Sequence, residues 1–349
     1  MKELLQKLAT GSTLTADEAT LAFEAVMTGE ASEAQTAALL AMIQLRGATV
    51  DEMLGAARVM RSKAVHVDVP DGLTVIDTCG TGGDHAGTFN ISTAAALVAA
   101  GALRPRGVAV AKHGNRSVTS KSGSSQVLET LGVNLQVPCE VLTQCLAEAG
   151  MAFCFAPAHH PAMKYAGPVR QQLGFRTLFN LIGPLTNPAG ARRQLMGVFD
   201  ARLLEPIAQV LLGLGAERAM MVFGQLPEAE GIVAGFDELS VCGPSQVMVV
   251  EDGRVKPGIV DATSLDMPLA LPHALRASGP EDSARIIRDV LGGRHGPTRD
   301  VTVLNAGAAI VVAGEAEDLA EGVAMAQQAI DQGAAGAVLE RLVELTHGA

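Results

Sequence analysis

The feature that most constrains the fold is the alternation, after about residue 70, of short β-branched runs with Ala- and Leu-rich stretches of helical length. This alternation predicts an α/β fold with a central, largely parallel sheet and helices on both faces. Ligands on such sheets bind beyond the carboxyl ends of the strands, so the strand-to-helix loops are the expected place for a site. The predicted strands are Thr74 to Asp77, Val108 to Ala111, Ala152 to Phe155, Leu195 to Phe199 and Met220 to Phe223. The predicted helices between them include Thr93 to Ala102, Ser125 to Leu131 and Leu204 to Leu214.

The first sixty-odd residues have a different pattern, with three helix-start signatures of the form Ser/Thr-x-x-Glu/Gln. These are Thr15 with Glu18, Ser32 with Gln35, and Thr49 with Glu52. In each, the hydroxyl can accept from a free backbone N–H, and the residue three positions on can reach back to the cap. We therefore predict a small N-terminal helical domain over 1–70 and a larger α/β domain over 71–349. Within the first, Ala37 to Ile43 is apolar all round and must be covered on more than one side, either as a central core helix or as a subunit interface.

Composition limits the classes of protein that this chain can belong to. Its 349 residues suggest about two domains, and 48% hydrophobic with 18% charged residues argues against disorder. The 26 Lys and Arg against 37 Asp and Glu give a net charge of -11, the wrong sign for binding a nucleic-acid backbone. Five cysteines without a Cys-x-x-Cys pair, and no signal-peptide pattern, favour reduced thiols in the cytoplasm. The most apolar late stretch, Val301 to Gly314, is too short to span a membrane.

The first strand-to-helix loop, Asp77 to Asp84, reads DTCGTGGD and runs through TFNIST into a helix. Its three glycines allow the backbone to approach an anion closely, and the following helix offers free N–H groups. The loop lacks the Gly-Lys-Ser/Thr of a nucleotide P-loop, and His85 excludes Gly-x-Gly-x-x-Gly. By itself it is compatible with a structural turn as well as with a phosphate site.

The second loop, Lys112 to Ser124, follows the next strand and contains three cations, several hydroxyls and two glycines. A solvated polar loop is the alternative interpretation. Two consecutive strand–loop–helix units with complementary anion-binding loops favour a polyphosphate ligand.

Three further groups of residues suggest chemistry. The His159–His160 pair lacks a second ligand cluster at zinc spacing, so a structural or positioning role is favoured over metal binding. Arg170 offers a planar guanidinium suited to a carboxylate, although, taken alone, it or Arg176 would more often form a structural ion pair. Asp237 and Glu238 follow an apolar run, and with two phosphate-type loops present they are candidates for holding Mg²⁺ with a diphosphate.

In this order, the motifs GTGGD, FNIST, KHGNR with KSGS, GPVR with GFRTLFNLIGPLTNP, and GFDE resemble the anthranilate phosphoribosyltransferases. The match covers nearly the whole chain. The resemblance implies transfer of the phosphoribosyl group of phosphoribosyl diphosphate to anthranilate, in tryptophan biosynthesis. It also implies Mg²⁺ as cofactor, a contribution of residues 160–190 to the helical part, and a homodimer formed through the helical domain. It implies small-molecule substrates, with neither nucleic acid nor membrane as partner.

The resemblance assigns roles by position. Phosphoribosyl diphosphate contacts are expected from Gly80, Gly83, Asp84, Thr88, Asn90, Ile91, Ser92, Thr93, Lys112, His113, Gly114, Asn115, Arg116, Ser117, Val118, Thr119, Ser120 and Ser124. Anthranilate contacts are expected from Gly80, Asn115 and Arg170, with His113 beside them. Mg²⁺ ligands, direct or through water, are expected from Ser92, Asp237 and Glu238. Ser117-Val118-Thr119 and Ser125-Gln126 depart from the versions most typical of the family, which concerns affinity rather than reaction type.

The chemistry of the expected reaction requires little proton transfer. Anthranilate's aromatic amine is neutral near pH 7, so we predict no catalytic general base and catalysis chiefly by positioning and leaving-group stabilisation. Two alternatives remain at this point. One is a pyrimidine-nucleoside phosphorylase-like enzyme, which resembles this family in fold. The other is a non-enzymatic paralogue that binds nucleic acid.

Overall fold

The computed structural model describes residues 1–116, 123–226 and 235–348. Four helices precede the first strand. They are α1 (Lys2–Ala9), α2 (Ala16–Met27), α3 (Glu33–Arg46) and α4 (Val50–Ser62). The later helices are α5 (Ile91–Leu103), α6 (Ser124–Leu131), α7 (Cys139–Glu148), α8 (Ala156–His159), α9 (Met163–Leu173), α10 (Phe179–Ile182), α11 (Leu204–Gly213), α12 (Pro280–Leu291), α13 (Pro297–Ala313), α14 (Leu319–Asp331) and α15 (Ala334–His347). The strands are β1 (Thr74–Gly80), β2 (Val108–Gly114), β3 (Met151–Phe155), β4 (Arg193–Gly197), β5 (Arg218–Gln225), β6 (Gly235–Phe236), β7 (Ser245–Glu251) and β8 (Arg254–Val260).

The strands form one sheet in the order β3-β2-β1-β4-β5-β7-β8, with β6 paired to β5. Pairing is parallel from β3 to β5, whereas β6, β7 and β8 are antiparallel. The predicted α/β fold with a largely parallel sheet is therefore confirmed. Each of the five predicted strands is present, but β4 covers Arg193–Gly197 rather than Leu195 to Phe199. The prediction was wrong at the end of this strand because the N–H of Phe199 donates to the Thr81 hydroxyl at 3.0 Å, which turns the chain towards the first loop.

The three helix-start signatures are confirmed as reciprocal capping boxes at the N-termini of α2, α3 and α4. The apolar segment of α3 is covered on one side within the chain. Leu39, Leu40 and Ile43 are fully buried, whereas Met42 is half-buried and Leu45 is 92% exposed. The expected cover on more than one side is thus not provided by a single copy of the chain.

The apolar interior consists of two clusters, one on each face of the sheet. The first is built around α5 and α13, whose Ala-rich faces pack against β1, β2 and β4. The second joins the N-terminal helices to α11 and the opposite face of β4 and β5. Apolar residues of α9 and α10, such as Ala166 and Phe179, lie in this second cluster, and the Phe179 ring meets Phe23 edge-on at 5.6 Å between centroids. The segment after residue 160 therefore packs with the N-terminal helices.

The described helices were compared with the length and apolar character of a membrane-spanning helix. None of them combines the length and the apolar character that crossing a bilayer requires.

Candidate active site

The carboxyl ends of β1, β2 and β4 lie side by side, and the loops that follow them form the candidate site. Gly82 and Gly83 adopt left-handed backbone conformations (φ 64° and 75°), and the Gly82 N–H donates to Asp237 Oδ2 at 2.8 Å. A Cβ on Gly80 or Gly197 would overlap Asp237. The glycines of the first loop are therefore needed for the close approach of the backbone to a carboxylate, which a simple structural turn would not require.

Asp237 and Glu238 are half-buried carboxylates directly after β6. Burial, followed by the neighbouring charge of Asp84, raises the pKa of Asp237 to about 7. Burial and the charge of Asp237 also raise the pKa of Glu238 well above its usual value, although Lys112 opposes this shift. Burial is thus the main cause of both shifts, and repulsion between neighbouring carboxylates adds to it. A divalent cation held by Asp237 and Glu238 together with the phosphates of a substrate would relieve this repulsion.

Lys112 carries the main positive charge beneath this cluster. Its side chain is 1% exposed, and Nζ donates to the Thr78 carbonyl and, at 3.1 Å, to the Ser92 hydroxyl. Burial lowers the pKa of Lys112, and the nearby carboxylates, Asp77 first, act in the opposite direction. The lysine therefore connects the end of β1 with the first turn of α5.

The first turn of α5 contains several of the predicted contacts. Asn90 precedes the helix, and its side-chain oxygen accepts from the Thr93 hydroxyl. The N–H of Asn90 donates to Ser283 Oγ at 2.9 Å, and Thr88 forms a bridge with Arg276. Sequence reasoning missed this supporting segment around 275–283, because no motif connects residues nearly two hundred positions apart.

His113 and His160 form a buried pair behind the second loop. Their ring centroids are 5.2 Å apart, and His113 Nε2 and His160 Nδ1 have no hydrogen-bond partner in the described part of the chain. Burial, and then the charges of His160 and His159, lower the pKa of His113 to about 3; burial, and then His159 and His66, lower that of His160 to about 4. Both rings are therefore neutral near pH 7. Within the ranges described above, no group of three His, Cys, Asp or Glu side chains is arranged to hold a metal ion, which applies to the acidic residues as well as to the histidines.

The acceptor-side residues lie on different elements. Arg170, on α9, donates to Asn180 Oδ1 at 3.3 Å and stacks over the Phe179 ring at 5.3 Å. None of the ion pairs among the residues that the structure describes involves Arg170, and burial lowers its pKa. Asn115 is exposed just beyond β2, and its side-chain oxygen accepts from the Arg116 N–H. No hydrogen bond joins Arg170 to Asn115 in the described residues.

The remaining predicted contacts are near the second loop. Ser124 opens α6, and its hydroxyl donates to the Asn115 carbonyl at 3.5 Å. Arg116 pairs with Glu129 at 3.3 Å on the surface. The predicted contacts Ser117, Val118, Thr119 and Ser120 are outside the described residues.

Arg176 is a site residue that sequence reasoning left undecided. Its guanidinium stacks over the Phe199 ring at 4.4 Å and donates to the Gly82 carbonyl at 3.4 Å. It also fills the space beside Gly83, where a Cβ would overlap it. The sequence shows only that Arg176 carries a positive charge. A charge alone does not distinguish an ion pair from this contact with the glycine loop.

Comparison with known proteins places this geometry in a family. Residues 72–336 match the model of the glycosyl transferase family a/b domain, and residues 2–64 match that of its helical bundle domain. The chain is 49% identical to the anthranilate phosphoribosyltransferase of Rubrobacter xylanophilus, over 99% of this chain and 97% of the relative. The chain belongs to the anthranilate phosphoribosyltransferase family. A second member, from Methylobacterium nodulans, is 47% identical over 99% of this chain and 98% of its own length.

Solved structures of family members agree with the fold described above. The enzyme from Thermus thermophilus superposes with a TM-score of 0.87 at 40% identity, with 99% of each chain covered. The enzyme from Saccharomyces cerevisiae, solved in complex with PRPP and Mg, gives a TM-score of 0.86 at 23% identity and covers 99% of this chain and 98% of its own. The second comparison supports the fold alone.

Proposed function

We propose that this chain transfers the phosphoribosyl group of 5-phosphoribosyl 1-diphosphate to anthranilate, giving N-(5-phosphoribosyl)anthranilate and diphosphate. The observation that carries the proposal is the convergence of the glycine loop, Lys112 and the Asp237–Glu238 pair at one edge of the sheet. A glycine-rich loop that the backbone can bring close to an anion, one buried cation and two carboxylates are the groups that a diphosphate with a divalent cation requires. The relatives described above are named anthranilate phosphoribosyltransferases, which supports the same substrates here.

The donor side is assigned from the first two loops. The backbone around Gly80 and Gly83, the start of α5 at Ser92, and Lys112 would contact the diphosphate. The diphosphate leaves with growing negative charge, and fixed N–H groups and a buried ammonium stabilise that charge without having to reorganise. Because Lys112 is already held by the Thr78 carbonyl and Ser92, its charge is in place before the reaction begins.

The residues also fit a magnesium ion. Mg²⁺ is usually held by one or two carboxylates together with substrate phosphates rather than by a closed protein cage. Asp237 and Glu238 supply such carboxylates, the Ser92 backbone lies against Glu238, and burial together with neighbouring negative charge raises the pKa values of both carboxylates. When bound, the ion would supply Lewis-acid neutralisation of the leaving diphosphate.

The acceptor side is assigned to Arg170 with Asn115. The Arg170 guanidinium lacks a carboxylate partner in the described residues and is fixed by Asn180 and Phe179, so its fork is available to anthranilate's carboxylate. The buried histidines are neutral and carry low pKa values, which makes them poor bases near neutral pH. Orientation of an already neutral amine, rather than its deprotonation, is the task we assign to these residues.

The experiment that tests this function is the loss of anthranilate fluorescence on addition of phosphoribosyl diphosphate, with and without Mg²⁺. The chain contains no Trp and therefore adds little background. Rapid, Mg²⁺-dependent loss supports donor, acceptor and metal together. No loss with folded protein would overturn the proposal.

The two alternatives are less well supported. A pyrimidine-nucleoside phosphorylase would need a pyrimidine site in place of Asn115 and Arg170, and uridine phosphorolysis tests it directly. A nucleic-acid-binding paralogue would need basic surface, whereas the net charge is -11. Neither agrees with the names of the relatives at 44% to 49% identity.

We also propose a homodimer formed through the helical domain and a cytoplasmic location. The support for the dimer is α3, whose Met42 is only half covered and whose Leu45 is 92% exposed next to a fully buried face. The five cysteines are free thiols, which is in accord with a reducing compartment. The domain division at about residue 70 remains a proposal as well.

A further inference from the structure

Beneath the two substrate loops lies a buried polar pair that none of the family motif assignments above includes. Asp77 on β1 and Gln194 on β4 are direct neighbours in the parallel register. Asp77 is fully buried, and Gln194 is 4% exposed. Burying a carboxylate and an amide is costly unless their contacts are specific, so this pair needs an explanation.

On one side, the pair contacts Lys112 to Arg116, the described start of the second loop, which we call the donor loop because all five residues are expected to contact phosphoribosyl diphosphate. The regular pairing between β1 and β2 reaches Ile76 with Val110 and does not continue beyond it. Beyond that point the His113 N–H donates to Asp77 Oδ1 at 3.0 Å. A side chain therefore replaces the backbone ladder at the residue where β2 passes into the loop that contains Asn115.

On the other side, the pair contacts the segment from Arg170 to Pro184, which we call the acceptor segment because Arg170 is assigned to anthranilate. Gln194 Nε2 donates to the Pro184 carbonyl at 2.7 Å, approaches Cys79 Sγ at 3.0 Å and lies 3.4 Å from Asp77 Oδ2. Pro184 follows α10, the helix that begins at Phe179 beneath Arg170. One amide group thus connects Asp77, and through it the donor loop, with the acceptor segment.

We propose that Asp77 and Gln194 are positioning residues that hold the acceptor segment against the donor loop. This inference rests on the proposed function. The two substrates bind to different elements, and the rate depends on the distance and angle at which they meet. A misplacement of about 1 Å can cost on the order of 10²-fold in rate while leaving each subsite intact. The pair acts through these loops and does not itself touch either substrate.

The test is Gln194→Met, which keeps the length of the side chain and removes its donor group. We expect kcat to fall at least tenfold, while KM for anthranilate and for phosphoribosyl diphosphate each change less than about threefold. Gln144→Met on α7 is the matched control, because that glutamine pairs with Glu148 on the surface. The control is expected to retain the kcat of the unaltered chain.

A second variant keeps the test decisive if Gln194→Met does not fold. Asp77→Asn retains an oxygen for the His113 N–H but places an amide opposite Gln194, so it should show the same fall in kcat. The double variant should be no slower than the slower single variant, since both interrupt one connection. A lower midpoint of thermal unfolding with unchanged kcat, or an additive double variant, would overturn the inference. Inactivity of the unaltered chain would instead count against the proposed function.

Discussion

At the scale of single residues, Arg170 makes the sharpest prediction. Removing it by Arg170→Ala should lower kcat/KM for anthranilate roughly 10- to 150-fold, because a charge-assisted hydrogen bond contributes about 1.5 to 3 kcal/mol. The kcat/KM for phosphoribosyl diphosphate should change little. Arg170→Lys serves as the matched variant, since it keeps the charge and loses the planar fork. Equal losses for both substrates in steady-state kinetics would remove Arg170 from the acceptor site.

The acidic pair makes a separate prediction about the metal. Asp237→Asn and Glu238→Gln should each raise the Mg²⁺ concentration for half-maximal rate by about 10- to 100-fold, as loss of even supporting groups does at metal sites. Glu251→Gln on β7 is the control, because Glu251 pairs with Arg218 away from the site. If the Mg²⁺ concentration for half-maximal rate does not change, Asp237 and Glu238 have a structural role rather than a role in metal binding.

The buried histidines predict how stability depends on pH. The pKa of His160 is lowered from 6.5 to about 4, so the unfolded chain takes up this proton at a higher pH than the folded chain. Its contribution to stability is therefore complete above about pH 6.5 and is lost as the pH falls towards 4. His160→Asn should reduce the fall in the free energy of unfolding between pH 7 and 5 by about 2 kcal/mol. Urea unfolding at pH 7 and pH 5 measures this change in the free energy of unfolding. If the variant and the unaltered chain show the same change, His160 does not cause it.

At the scale of secondary-structure elements, α4 combines a helix cap with a buried charge. Glu52 has no exposed surface, and its carboxylate accepts from the N–H groups of Leu14 and Thr49 and pairs with Arg46 at 2.5 Å. Glu52→Ala removes the acceptor of the Leu14 and Thr49 N–H groups and, in the described part of the chain, leaves Arg46 with only the carbonyls of Ser12 and Gly47 as partners. We expect a loss of about 3 to 5 kcal/mol in the free energy of unfolding.

A matched variant distinguishes the stability contributed by an ordinary helix cap from that contributed by the buried contacts of Glu52. Ser32→Ala removes only an exposed N-cap hydroxyl on α3 and should cost about 1 kcal/mol. Denaturant unfolding of both variants gives the comparison. Similar costs for the two would mean that the Glu52 cluster contributes no more than an ordinary cap.

At the scale of the whole molecule, the prediction concerns assembly. The partly covered face of α3 should be buried by a second copy of the chain, with Leu45 at the contact. Leu45→Asp introduces a charge there and should shift the protein from dimer to monomer in sedimentation velocity at micromolar concentration. Leu21→Asp on α2 is a useful comparison, because Leu21 is also exposed, at 66%. If the unaltered chain is a monomer, the prediction that residues 37–43 form a subunit interface is wrong.

The sequence by itself determined those features that depend on neighbours along the chain. Capping boxes at Thr15, Ser32 and Thr49 arise within four residues, and the strand–helix alternation follows from local hydrophobic periodicity, so both were predictable. The order of glycine, cation and acid motifs likewise indicates the family, because each motif is a short run of adjacent residues. The end of β4 was misplaced because a tertiary hydrogen bond to Thr81, and not local propensity, ends that strand.

Only the tertiary structure decided which side chains meet. The Asp77–Gln194 pair, the stacking of Arg176 on Phe199 beside the glycine loop, and the support of Asn90 by Ser283 all depend on contacts between segments that are far apart in the chain. It also decided that the histidines are neutral and that the acidic pair has raised pKa values, because burial and nearby charge set these values and neither is a property of local sequence. Sequence determined the elements and the chemical groups, and the packing of the sheet determined their distances and their protonation.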